Sequence, residues 1–102
     1  MYLTQSKDGI PIRFTHERLE HITRNHPEMI DQEQKVLETI SEPDYIQRGD
    51  DETRIAVRLY PQTPLTRKFL IVVYREFQGD GFVITSYFTS DPAQWRKILW
   101  KP

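Results

Sequence analysis

The chain contains no cysteine, which excludes structural disulfides and thiolate metal sites. It has no apolar run near the roughly 20 residues a membrane-spanning helix needs. Its first residues, MYLTQSKDG, lack the basic-then-apolar pattern of a signal peptide. The expectation is a soluble, cytoplasmic protein with no membrane partner. Excess charge is also missing: 14 Lys and Arg stand against 15 Asp and Glu, a formal net charge of −1. No whole-protein field therefore draws the chain to nucleic acid, and RNA binding would need a local basic patch. Glycine is scarce, with four residues scattered along the chain, so there is no phosphate-cradling loop. There is no internal repeat, low-complexity tract or linker. The 102 residues read as a single domain, 1–102, large enough to bury one core without a metal or disulfide staple.

What is present is a clear division into helical and strand patterns. Residues 10–14 (IPIRF) alternate and suit a short leading strand, limited by Pro11 to an edge. Thr15 is placed to cap a helix carrying THERLEHITRN, with Glu17 near its positive end. Pro27 disfavours helical backbone at the residue before it, so that helix ends near Asn25 or His26. Asp31 and Gln34 have capping-box spacing for a second helix. Val36, Leu37 and Ile40 form its apolar stripe and Pro43 ends it. Residues 44–48, 53–60, 68–77 and 82–89 read as four strands, the last two flanking the hairpin signal QGDG. Asp91, Pro92 and Gln94 predict a short C-terminal helix, anchored by Trp95 and Trp100. The expected fold is α+β: two N-terminal helices on one face of a four-stranded antiparallel sheet, then the short C-terminal helix.

Hairpin parity sorts the two faces of that sheet. Pairing Phe77 with Phe82 puts Phe69, Ile71, Val73, Phe77, Phe82, Ile84 and Phe88 on one face, joined by Ile55, Val57 and Leu59. That face is expected under the helices. The other carries Leu70, Val72, Tyr74, Glu76, Val83, Thr85, Tyr87 and Thr89, with Arg54, Arg58 and Tyr60. Such a face suits holding a phosphate backbone and stacking a base. It equally suits the solvated side of any antiparallel sheet. Arg75 falls among the apolar residues, so it lies at the sheet's edge, pairs with a carboxylate, or marks a register error.

All three histidines, His16, His21 and His26, lie in one segment. Histidine titrates near neutrality and is the common general acid or base. The five-residue spacing of His21 and His26 rotates them by roughly 140° on a regular helix, so the two cannot share a site unless the helix breaks. His26 reads either as a hydrogen-bonded histidine holding the helix corner or as an acid–base group. His21 reads as a solvated residue or an acid–base group. No metal site is expected, because His16 and His21 stand five apart and not the four of a zinc-binding helix. Arginines such as Arg13, Arg18, Arg24, Arg48, Arg54, Arg58 and Arg75 are suited to stabilising a phosphoryl transition state. Tyr45, Tyr60, Tyr74 and Tyr87 are suited to orienting a ribose or a base.

The segments RFTHERLEHITRNHPEM, VLETISEPDYI, FLIVVYREFQGDGFVITSYFTSD and the closing ILWKP occur in this order. Together they resemble a bacterial family, the phage-linked branch of the barnase–EndoU–colicin–RelE-like (BECR) nucleases. The resemblance covers nearly the whole chain. It implies helices followed by a four-stranded sheet, and a metal-independent, cofactor-free RNase of toxin type with an antitoxin as partner. The family's ERxxHI element falls on Glu17, Arg18, His21 and Ile22, and its RxHPE element on Arg24, His26, Pro27 and Glu28. Its strand motif falls on Thr85, Ser86 and Tyr87. Leu19 stands where the family has tryptophan, and Ser86 where a small residue such as alanine is common.

The expected chemistry is cleavage of RNA by transesterification. His21 is the first candidate for acid or base and His26 the second. Arg18, with Arg54 or Arg58, would neutralise the phosphate, and Thr85 and Tyr87 would position the substrate. Arg24, Tyr74 and Ser86 complete the substrate-binding candidates. The rival expectation is a non-catalytic module that binds RNA or a protein on the same fold.

Overall fold

The structure is a computed structural model describing residues 1–102. The chain opens with a hairpin of β1 (Tyr2–Gln5) and β2 (Pro11–Phe14). Helix α1 (His16–Asn25), a 3₁₀ turn (Pro27–Met29) and helix α2 (Glu33–Ser41) follow. Then come β3 (Tyr45–Arg48), β4 (Arg54–Tyr60), β5 (Lys68–Phe77), β6 (Asp80–Thr89) and β7 (Ile98–Trp100). All seven strands form one sheet in the order β1-β2-β6-β5-β4-β3-β7. Only β2 and β6 run parallel.

This corrects the expected four-stranded antiparallel sheet with N-terminal helices. The sheet has seven strands and is mixed, strands come first, and both helices lie mid-chain. The expected meander is there as β3-β4-β5-β6, but a hairpin extends one side and β7 the other. The parallel contact between β2 and β6 depends on Gly81. A Cβ there would meet the Arg75 carbonyl oxygen and Ile12 Cδ1, each at 2.5 Å.

Helix α1 starts where the Thr15 hydroxyl accepts the Arg18 amide at 3.0 Å, and it ends one residue before His26. Helix α2 starts at Glu33 with Gln32 as its N-cap. Asp31 does not cap it. Its φ of 64° puts it in the left-handed region, whereas an N-cap needs extended backbone.

The expected C-terminal helix is absent. Residues 90–97 carry the chain from β6 across β5, β4 and β3 to β7. Four strand spacings need roughly 19 Å, and a helix of eight residues covers roughly 12 Å. The segment therefore crosses as an irregular, bent strap, which the Gln47 amide pins by donating to the Ala93 carbonyl at 2.7 Å. Trp95 does not anchor it, being 77% exposed.

The assignment of faces is also corrected. The helices cover the face that carries Ala56, Tyr60, Leu70, Val72, Tyr74, Val83 and Phe88. They pack onto it through Ile22, Val36 and Ile40, with Met29 of the 3₁₀ turn, and Ile12 and Phe14 of β2 complete the cluster. Ile55, Val57 and Ile71 form a smaller cluster on the opposite side, with Phe69, Val73 and Tyr87 packed against it. Phe77 and Phe82, expected in the core, are exposed.

The inversion of β4 and β5 has one physical cause, and a bulge undoes it beyond Ile84 on β6, so that Phe88 is in the core and Thr85 and Tyr87 on the open side as expected. Strand β5 is apolar on both faces, so alternation could not tell them apart. The ladder with β6 is in step from Phe77↔Asp80 to Tyr74↔Val83, then shifts so that Val73 meets Thr85. Ile84 is the extra residue of this bulge, and it reverses the parity of everything after it. Ser86 and Phe88 are thereby turned to the helix side, and Thr85 and Tyr87 to the open side.

Burial of each large side chain in the main cluster contributes about 1.5–3 kcal/mol. Polar groups inside it are mostly paired. The Tyr60 hydroxyl donates to Glu38 Oε1 at 2.7 Å, and burial raises its pKa. The Tyr74 hydroxyl, also raised chiefly by burial, has no partner. No helix is long and apolar enough to cross a membrane.

Candidate functional site

The open side of the sheet is concave, enclosing about 570 Å³. Its floor is Ile55 of β4, Ile71 and Val73 of β5, and Ile84, Thr85, Tyr87 and Thr89 of β6. The strap closes one side with Asp91, Pro92, Ala93 and Arg96. The β3–β4 turn closes another with Asp50, Asp51 and Thr53, and Arg75 projects from β5. Thr85 and Tyr87 line this face because the bulge at Ile84 turns them away from the helices, and the strap passes along its side.

His26 reaches this region from the far side of the sheet. The α1 helix breaks before Pro27, and beyond the short β2 pairing the edge of β6 is free of a strand partner. The imidazole stacks on Tyr87 with ring centroids 5.5 Å apart and an interplanar angle of 27°. His26 is half-buried, and its ring makes no hydrogen bond within the chain. Neither ring nitrogen is a buried orphan, so both reach solvent. Of the two sequence readings, the hydrogen-bonded corner histidine is therefore not what is seen.

The remaining sequence candidates lie elsewhere. His21 is exposed on α1 and lines a polar depression with Arg18 and Arg24, in which neither Thr85 nor Tyr87 takes part. Arg54, Arg58, Tyr74 and Ser86 are on the helix side of the sheet. Arg54 bridges Asp8 at 3.1 Å and Glu76 at 3.8 Å. Arg58 pairs with Glu38 at 3.6 Å and donates to the Glu42 carbonyl at 2.6 Å. Tyr74 is fully buried. The buried Ser86 hydroxyl donates to the Ile71 carbonyl at 2.8 Å, which ties β6 to β5 across the bulge. The structure thus stacks His26 on Tyr87, which lines the hollow together with Thr85, while His26 itself is not part of the lining. It leaves His21, Arg18 and Arg24 on a separate surface, and Arg54, Arg58, Tyr74 and Ser86 in the scaffold.

Two arginines of the concave face had no place in the expected site: Arg75, noted among the arginines suited to a phosphate, and Arg96. Arg75 is held by Glu52 at 3.5 Å. Arg96 meets both oxygens of Asp50, at 3.1 and 3.4 Å. The Arg96 hydrogen bond and charge hold the Asp50 carboxyl below its usual range. An arginine in an otherwise apolar strand face was the visible signal for Arg75. Arg96 had none, because its position depends on the strap. No three His, Asp or Glu side chains gather in a geometry able to hold a metal ion.

The chain matches no protein-family model, no curated protein and no solved structure.

Proposed function

We propose that the concave face is the site of a metal-independent endoribonuclease of toxin type, with His26 as its proton-transfer group. A base removes the proton of a ribose 2′-hydroxyl, and the oxygen attacks the adjacent phosphorus. The bond from phosphorus to the 5′ oxygen breaks, and an acid protonates that oxygen. The products are a 2′,3′-cyclic phosphate and a free 5′-hydroxyl. These steps need proton carriers and groups that neutralise the phosphate, and they call for no bound metal.

The observation that carries the reading is the stack of His26 on Tyr87. It fixes an imidazole, with both nitrogens reaching solvent, against Tyr87, which lines the hollow with Thr85. The stack orients the ring, and the hydroxyls of Thr85 and Tyr87 offer hydrogen bonds to a phosphate or ribose. The motifs RxHPE and Thr85–Tyr87, which resemble those of the phage-linked BECR nucleases, support the same assignment and add an antitoxin as a partner. The apolar floor of Ile55, Ile71, Val73 and Ile84 favours a second reading, a non-catalytic module that binds RNA or a protein there.

The test is incubation of the purified protein with labelled RNA in EDTA, with product ends analysed for cyclic phosphate. The parent is expected to cleave. His26→Ala is expected to lose roughly 10²–10⁴-fold in rate, and His21→Ala is expected to keep the parent rate. A folded parent that does not cut, or a His26→Ala variant that cuts at the parent rate, refutes the proposal.

A further inference from the structure

The cations of the concave face are Arg75 and Arg96, and each is flanked by an exposed aromatic ring. The Arg96 guanidinium lies 4.4 Å from the Trp95 ring centroid, and that of Arg75 lies 5.8 Å from the Phe77 ring centroid. Trp95 and Phe77 are among the most exposed large apolar residues of the molecule. Proteins that hold single-stranded nucleic acid combine these same two elements, cations for the backbone and aromatic faces for the bases.

Both arginines already hold anions. The acidic turn between β3 and β4 supplies Asp50 to Arg96 and Glu52 to Arg75. The carboxylate partners are nearly free in solvent, with Asp50 and Glu52 side chains 78% and 85% exposed. The Arg96 side chain is only 16% exposed, so it is the fixed member of its pair. Exposed ion pairs of this type contribute little net stability. A phosphodiester offers the guanidinium the same pair of oxygens as a carboxylate.

We infer that single-stranded RNA crosses the concave face between two stations, Trp95 with Arg96 and Phe77 with Arg75, and that its phosphates displace Asp50 and Glu52. This rests on the concave face being an RNA site, and it deepens that reading by naming the strand's path and the residues that grip it. The acidic turn is then a built-in competitor, which sets how tightly a strand must bind before it enters.

The experiment is fluorescence anisotropy with a labelled, mixed-sequence single strand carrying 2′-O-methyl riboses. That strand has no attacking hydroxyl and is not consumed. The double variant Asp50→Asn/Glu52→Gln is expected to tighten binding about tenfold. A control with the same charge change on α1, Glu17→Gln/Glu20→Gln, is expected to change it less than twofold. Trp95→Ala is expected to weaken binding about 5- to 100-fold. Arg75→Gln/Arg96→Gln is expected to weaken it at least tenfold, and to flatten the slope of log affinity against log salt by roughly 1.4.

Equal tightening by the α1 control, or unchanged affinity in Trp95→Ala, overturns the inference. So does the absence of binding by parent and Asp50→Asn/Glu52→Gln alike, which would point instead to a protein ligand. The same proteins are assayed on the unmodified RNA strand. Binding with the expected pattern but no cleavage supports this path and refutes the nuclease reading. Cleavage with affinities indifferent to all the substitutions does the reverse.

Discussion

Val72 and Val73 are neighbours on β5, and the fold assigns them opposite faces. Val72 is fully buried among the main cluster under the helices, and Val73 is half-buried on the open face. Truncation to alanine removes two methyl groups from either. At roughly 0.8 kcal/mol for each buried carbon, Val72→Ala loses about 1.6 kcal/mol of transfer free energy. Helices fixed on one side and the sheet on the other leave a cavity that relaxes only in part, which raises the total to about 2.5 kcal/mol. Val73→Ala gives up about half the transfer term, and solvent fills the space, so its loss is about 0.8 kcal/mol. The loss of strand propensity is common to both and cancels in the comparison. Urea unfolding followed by circular dichroism measures the difference at unchanged m-value. The corresponding fall in Tm for Val72→Ala is about 10–20 °C. A Val73→Ala variant that is as unstable as Val72→Ala, or less stable, would refute the assignment of faces, and with it the exposure of Thr85 and Tyr87.

Two further predictions concern single positions. Tyr74→Phe removes a buried hydroxyl that has no partner, and is expected to raise stability by about 1 kcal/mol in the same urea titration. A fall of that size would show that the hydroxyl is bonded, for example to water. Gln78 and Gly79 form the β5–β6 turn, both with positive φ, at 53° and 80°. Asparagine tolerates that backbone better than glutamine, so Gln78→Asn is expected to stabilise by roughly 0.5 kcal/mol, read as a rise of a few degrees in Tm.

Features set by neighbouring residues were legible in the sequence. Thr15 and Pro27 bound α1 because capping and the pre-proline restriction act over one or two residues. The Gln78–Gly79 turn closes where QGDG marks it. Features set by distant parts of the chain were not. Nothing local distinguishes Leu70, Val72 and Tyr74 from Phe69, Ile71 and Val73, and the bulge at Ile84 leaves no compositional mark. The capping-box spacing from Asp91 to Gln94 is genuine, but the distance from β6 to β7 overrides it. In the site, His26, Thr85 and Tyr87 were readable by residue type, although the stack of His26 on Tyr87 depends on the helix break and the bulge acting together. His21, preferred on its motif, faces solvent on the outer side of α1. Arg96 reaches the hollow only because the strap carries it there.

The order of the strands gives this site an uneven foundation. Its floor belongs to β4, β5 and β6 of the meander β3-β4-β5-β6, where each strand pairs with the next in the chain, so every ladder closes a short loop. The groups proposed to act there belong to parts held by long-range contacts. His26 depends on the docking of the helices, and Arg96 on a strap held by the pairing of β3 with β7. Long-range pairings of this kind form slowly and open at lower free energy than the centre of a sheet. A molecule with either flank open therefore carries the floor of the hollow without His26 or Arg96 in place. On the reading proposed above, only the fully assembled chain carries every group of the site, and loosening of either flank removes some of them while the sheet still stands.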